Sequence, residues 1–186
     1  INREQIAAIQ GGLNTPLYAL VPPGVTNPAT GQDFRAEGGD LIKEDVARAK
    51  ELLAEAGYPN GEGFPEMRWV FNNLQSHTDV AQAVAGQLKE NLGITLALTS
   101  MDNAAFSAER RAGNFDIVRL GTSADYVDPT TWLNLYISNT AYIQRVAAYS
   151  TPEYDALMLE TDSILDPAER FEKLHEAEKM MVESYW

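Results

Sequence analysis

The chain has 186 residues, of which 45% are hydrophobic and 22% are charged, a composition typical of an ordinary globular protein with room for about one domain. Aspartate and glutamate number 27 against 14 lysines and arginines, and the net charge of −13 disfavours nucleic acids and anionic membranes as partners. The absence of cysteine excludes disulfides, thiolate metal sites and cysteine nucleophiles.

The two ends of the chain are typical of a piece cut from a longer protein. The sequence begins INREQ, without a methionine or the features of a signal peptide, and it ends on two aromatic residues with no polar tail. We therefore expect a fragment, with a mature protein trimmed at both ends as the alternative. No apolar run approaches the ~18 residues that a membrane span needs.

Residues 1–40 are predicted to form an extended segment after one short helix. The apolar residues within 2–10 and the glycine pair that follows them predict a helix that ends at those glycines. Residues 15–34 are rich in proline, glycine, threonine and asparagine and have no helical period. This composition predicts an extended surface segment, with a turn at its Pro-Pro-Gly sequence.

Residues 41–186 are predicted to form an α/β core with C-terminal helices. Helical and alternating apolar patterns predict, in chain order, a helix over 43–56, a strand over 67–72, a helix over 78–92, a strand over 94–100, a helix over 103–113 and a strand over 115–121. Thr78 or Asp79 is expected to cap the second helix, and Asp102 the third. Connections of this length argue for parallel strands with right-handed crossovers.

Three further helices are predicted, each preceded by a capping residue and a proline. They start after Asp128-Pro129, Thr151-Pro152 and Asp166-Pro167, and Glu169 is placed to complete a capping box in the last. The predicted fold class is therefore α/β, with a small, mostly parallel sheet covered by helices and one lobe over residues 1–186.

No sequence pattern indicates a catalytic centre, a cofactor or a metal site. The GxSxG, Walker, GxGxxG, HExxH and calcium-loop motifs are all absent. His175 lies in a strongly charged helix and is interpreted as a surface histidine. His77 is interpreted as a loop or capping residue, although loops after strands are where open α/β sheets bind ligands. Asp125 and Asp128 lie three residues apart on one turn, which does not indicate a glycosidase pair.

One segment, from Arg119 to Tyr136, does indicate a binding site. It begins at the end of a predicted parallel strand, the usual ligand side of an open sheet. Asp125 in this segment could neutralise an ammonium group, and Arg119 could bind a carboxylate in bidentate fashion. The alternative is that Asp125 and Asp128 only cap the next helix and that Arg119 is an exposed strand residue.

Four stretches carry a family resemblance: INREQIAAIQGG with TPLYALVPPG, ARAKELLAEAGYPNG, VAGQLKENLGI and GNFDIVRLGTSADYVDPTTWL. Together they resemble the extracytoplasmic solute-binding proteins of ABC importers, in the oligopeptide/dipeptide-binding class. The resemblance covers nearly the whole chain. Members of that family are longer and have two lobes, and this chain resembles the second lobe only.

The resemblance implies a role for individual residues. It implies a periplasmic-binding-protein-like lobe in which Asp125, in the ADY motif, takes a peptide's α-ammonium and Arg119 meets a ligand carboxylate. Tyr126 and the loop residues before Asp125 complete the expected ligand-binding set, namely Thr122, Ser123 and Ala124. Thr122 stands where many members have tryptophan, which implies a smaller or less apolar pocket wall.

The implied function is that of a substrate-binding component rather than an enzyme. It would bind peptides between two lobes and deliver them to an ABC permease in the membrane, in a periplasmic or extracytoplasmic location. The other expected partner is the N-terminal lobe of the same chain, and no nucleic acid is expected. The alternatives are the same fold binding an opine, a nickel chelate, haem or an oligosaccharide, and a small α/β hydrolase or transferase.

Overall fold

The computed structural model describes residues 1–12, 14–138, 140 and 151–184. The helices are α1 (Arg3–Ile9), α2 (Phe34–Gly38), α3 (Val46–Glu55), α4 (Gln75–Leu92), α5 (Asn103–Ala112), α6 (Thr130–Leu133), α7 (Pro152–Thr161) and α8 (Pro167–Glu183), and the strands are β1 (Met67–Asn72), β2 (Leu96–Met101) and β3 (Ile117–Val118). Short 3₁₀ turns occupy Pro59–Gly61 and Asn134–Tyr136.

The chain divides into two compact units, each built from two separate stretches. The first contains Ile1–Pro16 and Glu44–Leu120, and the second contains Leu17–Lys43 and Gly121–Trp186. The assignment of residues 1–186 to a single lobe of a larger protein stays a prediction. Among the described residues, no helix has the length and apolarity needed to cross a bilayer, and no cluster of side chains is suited to a metal ion.

The first unit is organised by a parallel sheet in the order β2-β1-β3. Met67 pairs with Leu96 and Trp69 pairs with Ile117, which confirms the predicted parallel arrangement of strands alternating with helices. Buried side chains on this sheet, on α4 and on the connection between α4 and β2 form the core: Trp69, Phe71, Ala81, Ile94 and Leu96. The third strand is shorter than the predicted 115–121, because it pairs with β1 alone and the chain leaves the sheet after one more backbone hydrogen bond.

The helix ends follow local chemistry, with one correction. Asp102 accepts hydrogen bonds from the backbone amides of the first turn of α5, as predicted. Capping of the second predicted helix by Thr78 or Asp79 is wrong, because α4 already begins at Gln75 and Leu74 is its N-cap. The Leu74 carbonyl accepts the amides of His77 and Thr78, and no side chain caps the start of this helix.

Two glycines allow the turn after α3 to pass against the end of α4. Gly93 caps α4 with φ +73°, and a Cβ built on it would lie 2.0 Å from the backbone oxygen of Asn60. A Cβ on Gly61, whose φ is +77°, would lie 2.5 Å from the backbone oxygen of Leu92. Side chains are therefore excluded at both positions by backbone atoms, which cannot move aside as a flexible side chain can.

The second unit is built around helices α7 and α8 and the stretch before α2. Its buried apolar residues come from these three and from α2 and α6: Val21, Val25, Phe34, Leu133, Tyr154, Leu157, Met158, Phe171, Leu174, Ala177 and Met181. The prediction of a surface segment over 15–34 is therefore wrong, although the segment contains no helix before Phe34. Its apolar side chains occur singly among turn residues, and they are buried by packing against helices far along the chain.

A buried ion pair fastens this stretch to α8. Glu178 is fully buried and accepts hydrogen bonds from the backbone amides of Leu20 (2.9 Å) and Val21 (2.7 Å). Both of its carboxylate oxygens also accept from Nη1 of Arg35, at 2.7 and 2.8 Å. The charge of Glu178 is thus compensated and its lone pairs are used, which is what allows a carboxylate to remain inside a core.

The interpretation of His175 as a surface histidine is wrong. Its imidazole stacks on the ring of Phe34, with centroids 3.8 Å apart and planes 13° apart. Nε2 lies 3.5 Å from a carboxylate oxygen of Glu37, and about a quarter of the side chain is exposed. The charged neighbours along α8 suggested a solvated face, but the same helix also presents a packing face to α2.

Candidate ligand-binding site

A chain of polar side chains lies at the carboxyl edge of the sheet in the first unit. Asn72 is the last residue of β1, His77 is in the first turn of α4, and Asn103 begins α5. Oδ1 of Asn72 lies 2.6 Å from Nδ1 of His77, and its amide donates to Oδ1 of Asn103 at 3.0 Å. This is the edge at which open α/β sheets bind ligands.

Arg119 lies at the same edge, directly after β3. Its backbone N–H donates to the Val70 carbonyl at 3.1 Å, which extends the ladder to β1. The side chain is half-buried rather than exposed, and within the described part of its unit the guanidinium has no acidic or hydrogen-bonding partner. Burial lowers the pKa of this guanidinium, which nevertheless stays cationic at neutral pH. Arg119 is therefore a cation available to an anionic group.

The charge of Arg119 acts on His77. The pKa of His77 is lowered, first by burial of the imidazole and then by the positive charge of Arg119, against a smaller opposing effect from Asn72. The ring is therefore neutral at pH 7, so Arg119 supplies the positive charge at this edge. The interpretation of His77 as a loop or capping residue is corrected: it is a helical residue that binds the end of a strand.

The ADY loop, which we define as residues 121–128, belongs to the second unit. The predicted ligand-binding residues in it are all exposed: Thr122, Ser123, Ala124, Asp125 and Tyr126. The backbone N–H of Asp125 donates to Oγ1 of Thr131 at 3.0 Å, while its carboxylate has no partner within the described part of its unit. The backbone at Asp125 is therefore fixed and its charge is free.

Asp128 closes the loop and has a different role. It binds the guanidinium of Arg170 through both oxygens, at 2.8 and 3.0 Å, and accepts from the backbone N–H of Thr130 at 3.0 Å. Burial acts to raise the pKa of Asp128, but the hydrogen bonds from Arg170 and Thr130 outweigh it and hold the pKa below the ordinary aspartate value. The helix-capping interpretation is wrong for both aspartates, because Pro129 is the N-cap of α6. Asp128 lies one residue before that cap and binds Arg170 and the Thr130 N–H.

The structure gathers most of the predicted residues, but not all of them. Thr122 to Tyr126 lie in one loop of the second unit, whereas Arg119 belongs to the first unit. The joint use of Arg119 and Asp125 by one ligand therefore stays a prediction. The sequence analysis did not predict Asn72 and Asn103, although their positions at or just after the ends of strands could have indicated them. It also did not predict Arg170, which lies 42 residues from its partner Asp128 and which no local pattern indicates.

Comparisons with known proteins assign the chain to a family. Residues 1–144 match the family described as bacterial extracellular solute-binding proteins, family 5, middle region. The chain is 31% identical over 169 residues to the dipeptide-binding protein DppE of Bacillus subtilis, covering 90% of this chain and 30% of that protein. It is also 31% identical over 182 residues to the probable deoxycholate-binding periplasmic protein YgiS of Escherichia coli, covering 96% and 32%.

A solved structure confirms the fold. Haemophilus influenzae OppA, in complex with RPPGFSPFR, matches with a TM-score of 0.83 and 28% identity, over 100% of this chain and 36% of that one. The chain thus spans about a third of the length of these relatives. The resemblance read from the sequence and the α/β fold class are both confirmed. The chain belongs to family 5 of the bacterial extracellular solute-binding proteins.

Proposed function

We propose that this chain is part of the substrate-binding component of an ABC importer. This component binds peptides outside the cytoplasm and delivers them to a permease in the membrane. The names of DppE and OppA support a peptide ligand, and the periplasmic designation of YgiS supports the location. The observation that carries the proposal is the carboxylate of Asp125, which is exposed and has no partner among the described residues of its unit, on a loop whose backbone is held by Thr131.

In this proposal the charges of the ligand select the residues that bind it. Asp125 binds the α-ammonium group of the peptide by a charge-assisted hydrogen bond, and Arg119 binds a carboxylate. Tyr126 and the residues Thr122 to Ala124 contact the rest of the ligand. The remaining contacts come from the N-terminal lobe, and closure of the two lobes removes the ligand from water.

Replacing Asp125 with asparagine should weaken peptide binding by about 1.5–3 kcal/mol, the usual contribution of a hydrogen bond to a charged group. Calorimetry on the full-length gene product measures the peptide affinity. Asp40→Asn is the matched control, because Asp40 is an exposed acid outside the ADY loop and its loss changes the net charge equally. If the free peptide and the N-acetylated peptide each bind D125N as tightly as they bind the wild type, Asp125 does not bind the ammonium group of the ligand.

A second candidate ligand is an amphipathic carboxylate such as deoxycholate, which the name of YgiS favours. Such a ligand has a carboxylate and no ammonium group, so it would bind Arg119 and make no contact with the carboxylate of Asp125. Deoxycholate binding that survives Asp125→Asn and is lost in Arg119→Ala would favour this candidate over a peptide.

Replacing Arg119 with alanine should remove a preference for short peptides. The sequence-based prediction is that a short zwitterion binds Asp125 through its ammonium and Arg119 through its carboxylate, whereas a longer peptide has to bypass the arginine. Affinities for di- to pentapeptides, free and amidated at the carboxyl end, should show amidation costing the short ones about 1.5–3 kcal/mol in the wild type and nothing in the variant. Arg111→Ala, at an exposed position on α5, is the control. Amidation without cost at every length would contradict the role given to Arg119.

A further inference from the structure

The ADY loop is anchored by a residue that the binding proposal does not use. Arg170, in the first turns of α8, holds both oxygens of Asp128 at 2.8 and 3.0 Å. The two side chains are 24% and 25% exposed, so the pair is shielded from water on most of its surface. A planar guanidinium that binds both oxygens of one carboxylate fixes its orientation as well as its position.

Asp128 in turn binds the first residue of α6, Thr130. Oδ1 of Asp128 accepts from the backbone N–H of Thr130 at 3.0 Å and from its hydroxyl at 2.7 Å. The Thr130 hydroxyl oxygen also lies 3.3 Å from the phenolic oxygen of Tyr126. The next residue, Thr131, accepts the backbone N–H of Asp125 through its hydroxyl oxygen.

The contacts therefore run from α8 to two of the candidate ligand-binding residues in the ADY loop, Asp125 and Tyr126. Asp128 and the first two residues of α6 form the connection, and α8 supplies the fixed support because Phe171, next to Arg170, is buried in the core of the second unit. Without the ion pair, the carboxylate of Asp128 would be left half-buried and uncompensated, and water would have to enter to solvate it. The loop would then lose its attachment to α8.

We infer that Arg170 is a positioning residue for the ligand-binding loop: it holds Asp125 and Tyr126 in place through Asp128, Thr130 and Thr131 without touching the ligand itself. The expected effect on peptide binding rests on the proposed function. The contacts that hold the loop in place are present without a ligand. The two parts can therefore be measured separately.

Hydrogen exchange in the ligand-free protein tests the positioning itself. In Arg170→Ala, the amides of residues 121–131 should exchange about tenfold faster or more, while those of α7 and the remainder of α8 keep their wild-type rates. Arg170→Lys should give an intermediate rate, because an ammonium cannot bind both oxygens in the same fork. Thr131→Val, which removes only the acceptor of the Asp125 amide, provides a milder second variant. Lys179→Ala is the control, since Lys179 pairs with Glu183 on the exposed side of α8.

Peptide affinity tests the consequence. Arg170→Ala should weaken binding of a free peptide about tenfold and weaken binding of an N-acetylated peptide less, because both lose the contact with Tyr126 but only the free peptide also loses the bond from its ammonium to Asp125. Exchange that rises equally through α7, α8 and the loop would show a merely structural role and overturn the inference, as would unchanged exchange of the loop. If the wild type binds no peptide while the loop exchanges as expected, the proposed function fails and the positioning role stands.

Discussion

Replacing Glu178 with alanine should lower the free energy of unfolding by about 3–5 kcal/mol, the range expected when one partner of a buried ion pair is removed. The substitution leaves the Arg35 guanidinium buried without its counter-charge, and it leaves the amides of Leu20 and Val21 without their acceptor. Equilibrium unfolding of the 186-residue chain in urea measures the loss.

Two further variants locate the source of that loss. Glu178→Gln should be less damaging than Glu178→Ala, because an amide oxygen still accepts from Leu20 and Val21 while the charge of Arg35 stays uncompensated. Glu176→Ala, at a half-exposed position two residues earlier in α8, should cost less than about 1 kcal/mol. An effect of Glu178→Ala no larger than that of Glu176→Ala would show that the buried pair does not hold the second unit together.

Replacing Gly93 with alanine should destabilise the chain by about 2–5 kcal/mol, the sum of a left-handed backbone penalty and an overpacking penalty. The φ of +73° disfavours any residue with a Cβ, and the added Cβ would lie 2.0 Å from the backbone oxygen of Asn60. Neither backbone can yield without displacing the end of α4 or the turn after α3.

Gly113 offers a control matched in position and conformation. It caps α5 as Gly93 caps α4, its φ is +70°, and nothing lies within 4 Å of the place of its missing Cβ. Gly113→Ala should therefore show the backbone penalty alone, roughly 1–2 kcal/mol. The difference in urea unfolding between the two variants measures the close approach of Asn60 to Gly93, and equal losses would contradict a steric role for it.

The parts of the fold that could be predicted from the sequence are those set by neighbouring residues. Asp102 and Gly93 mark helix ends through hydrogen bonds and dihedral angles that involve only the adjacent turn. The alternation of strands with helices then restricts the pairing to a parallel sheet, because the connections are long enough to cross over it. The predicted start of α4 is too late because its N-cap, Leu74, has no polar side chain that would mark the start in the sequence.

The burial of Val21 and Val25 could not be predicted from local pattern. Their stretch has the composition of a surface turn, and its burial depends on Glu178, whose contact with Val21 joins residues 157 positions apart. His175 was misjudged for a related reason, since the ring that stacks on it, Phe34, is also distant in the sequence. A pattern along one helix shows which residues are charged, but it does not show which face another segment covers.

The site divides in the same way. Asp125 and the loop around it were predicted from their place after a strand and from a family resemblance that the comparisons confirm, and the roles of these residues stay predictions. The different contacts of Asp125 and Asp128 could not be predicted from their spacing, because they depend on Arg170, which is distant in the sequence. Arg170 binds the carboxylate of Asp128, whereas the carboxylate of Asp125 has no partner within the described part of its unit.

The composition of the second unit from two distant stretches sets an order of events during synthesis. Arg35 leaves the ribosome 143 residues before Glu178, an interval of about 7–30 s at ordinary elongation rates of roughly 5–20 residues per second. Throughout that interval the apolar side chains of Val21, Val25 and Phe34 have no helix to pack against. Until α8 has been synthesised, this stretch is therefore an apolar segment without its packing partner, the kind of surface through which nascent chains aggregate.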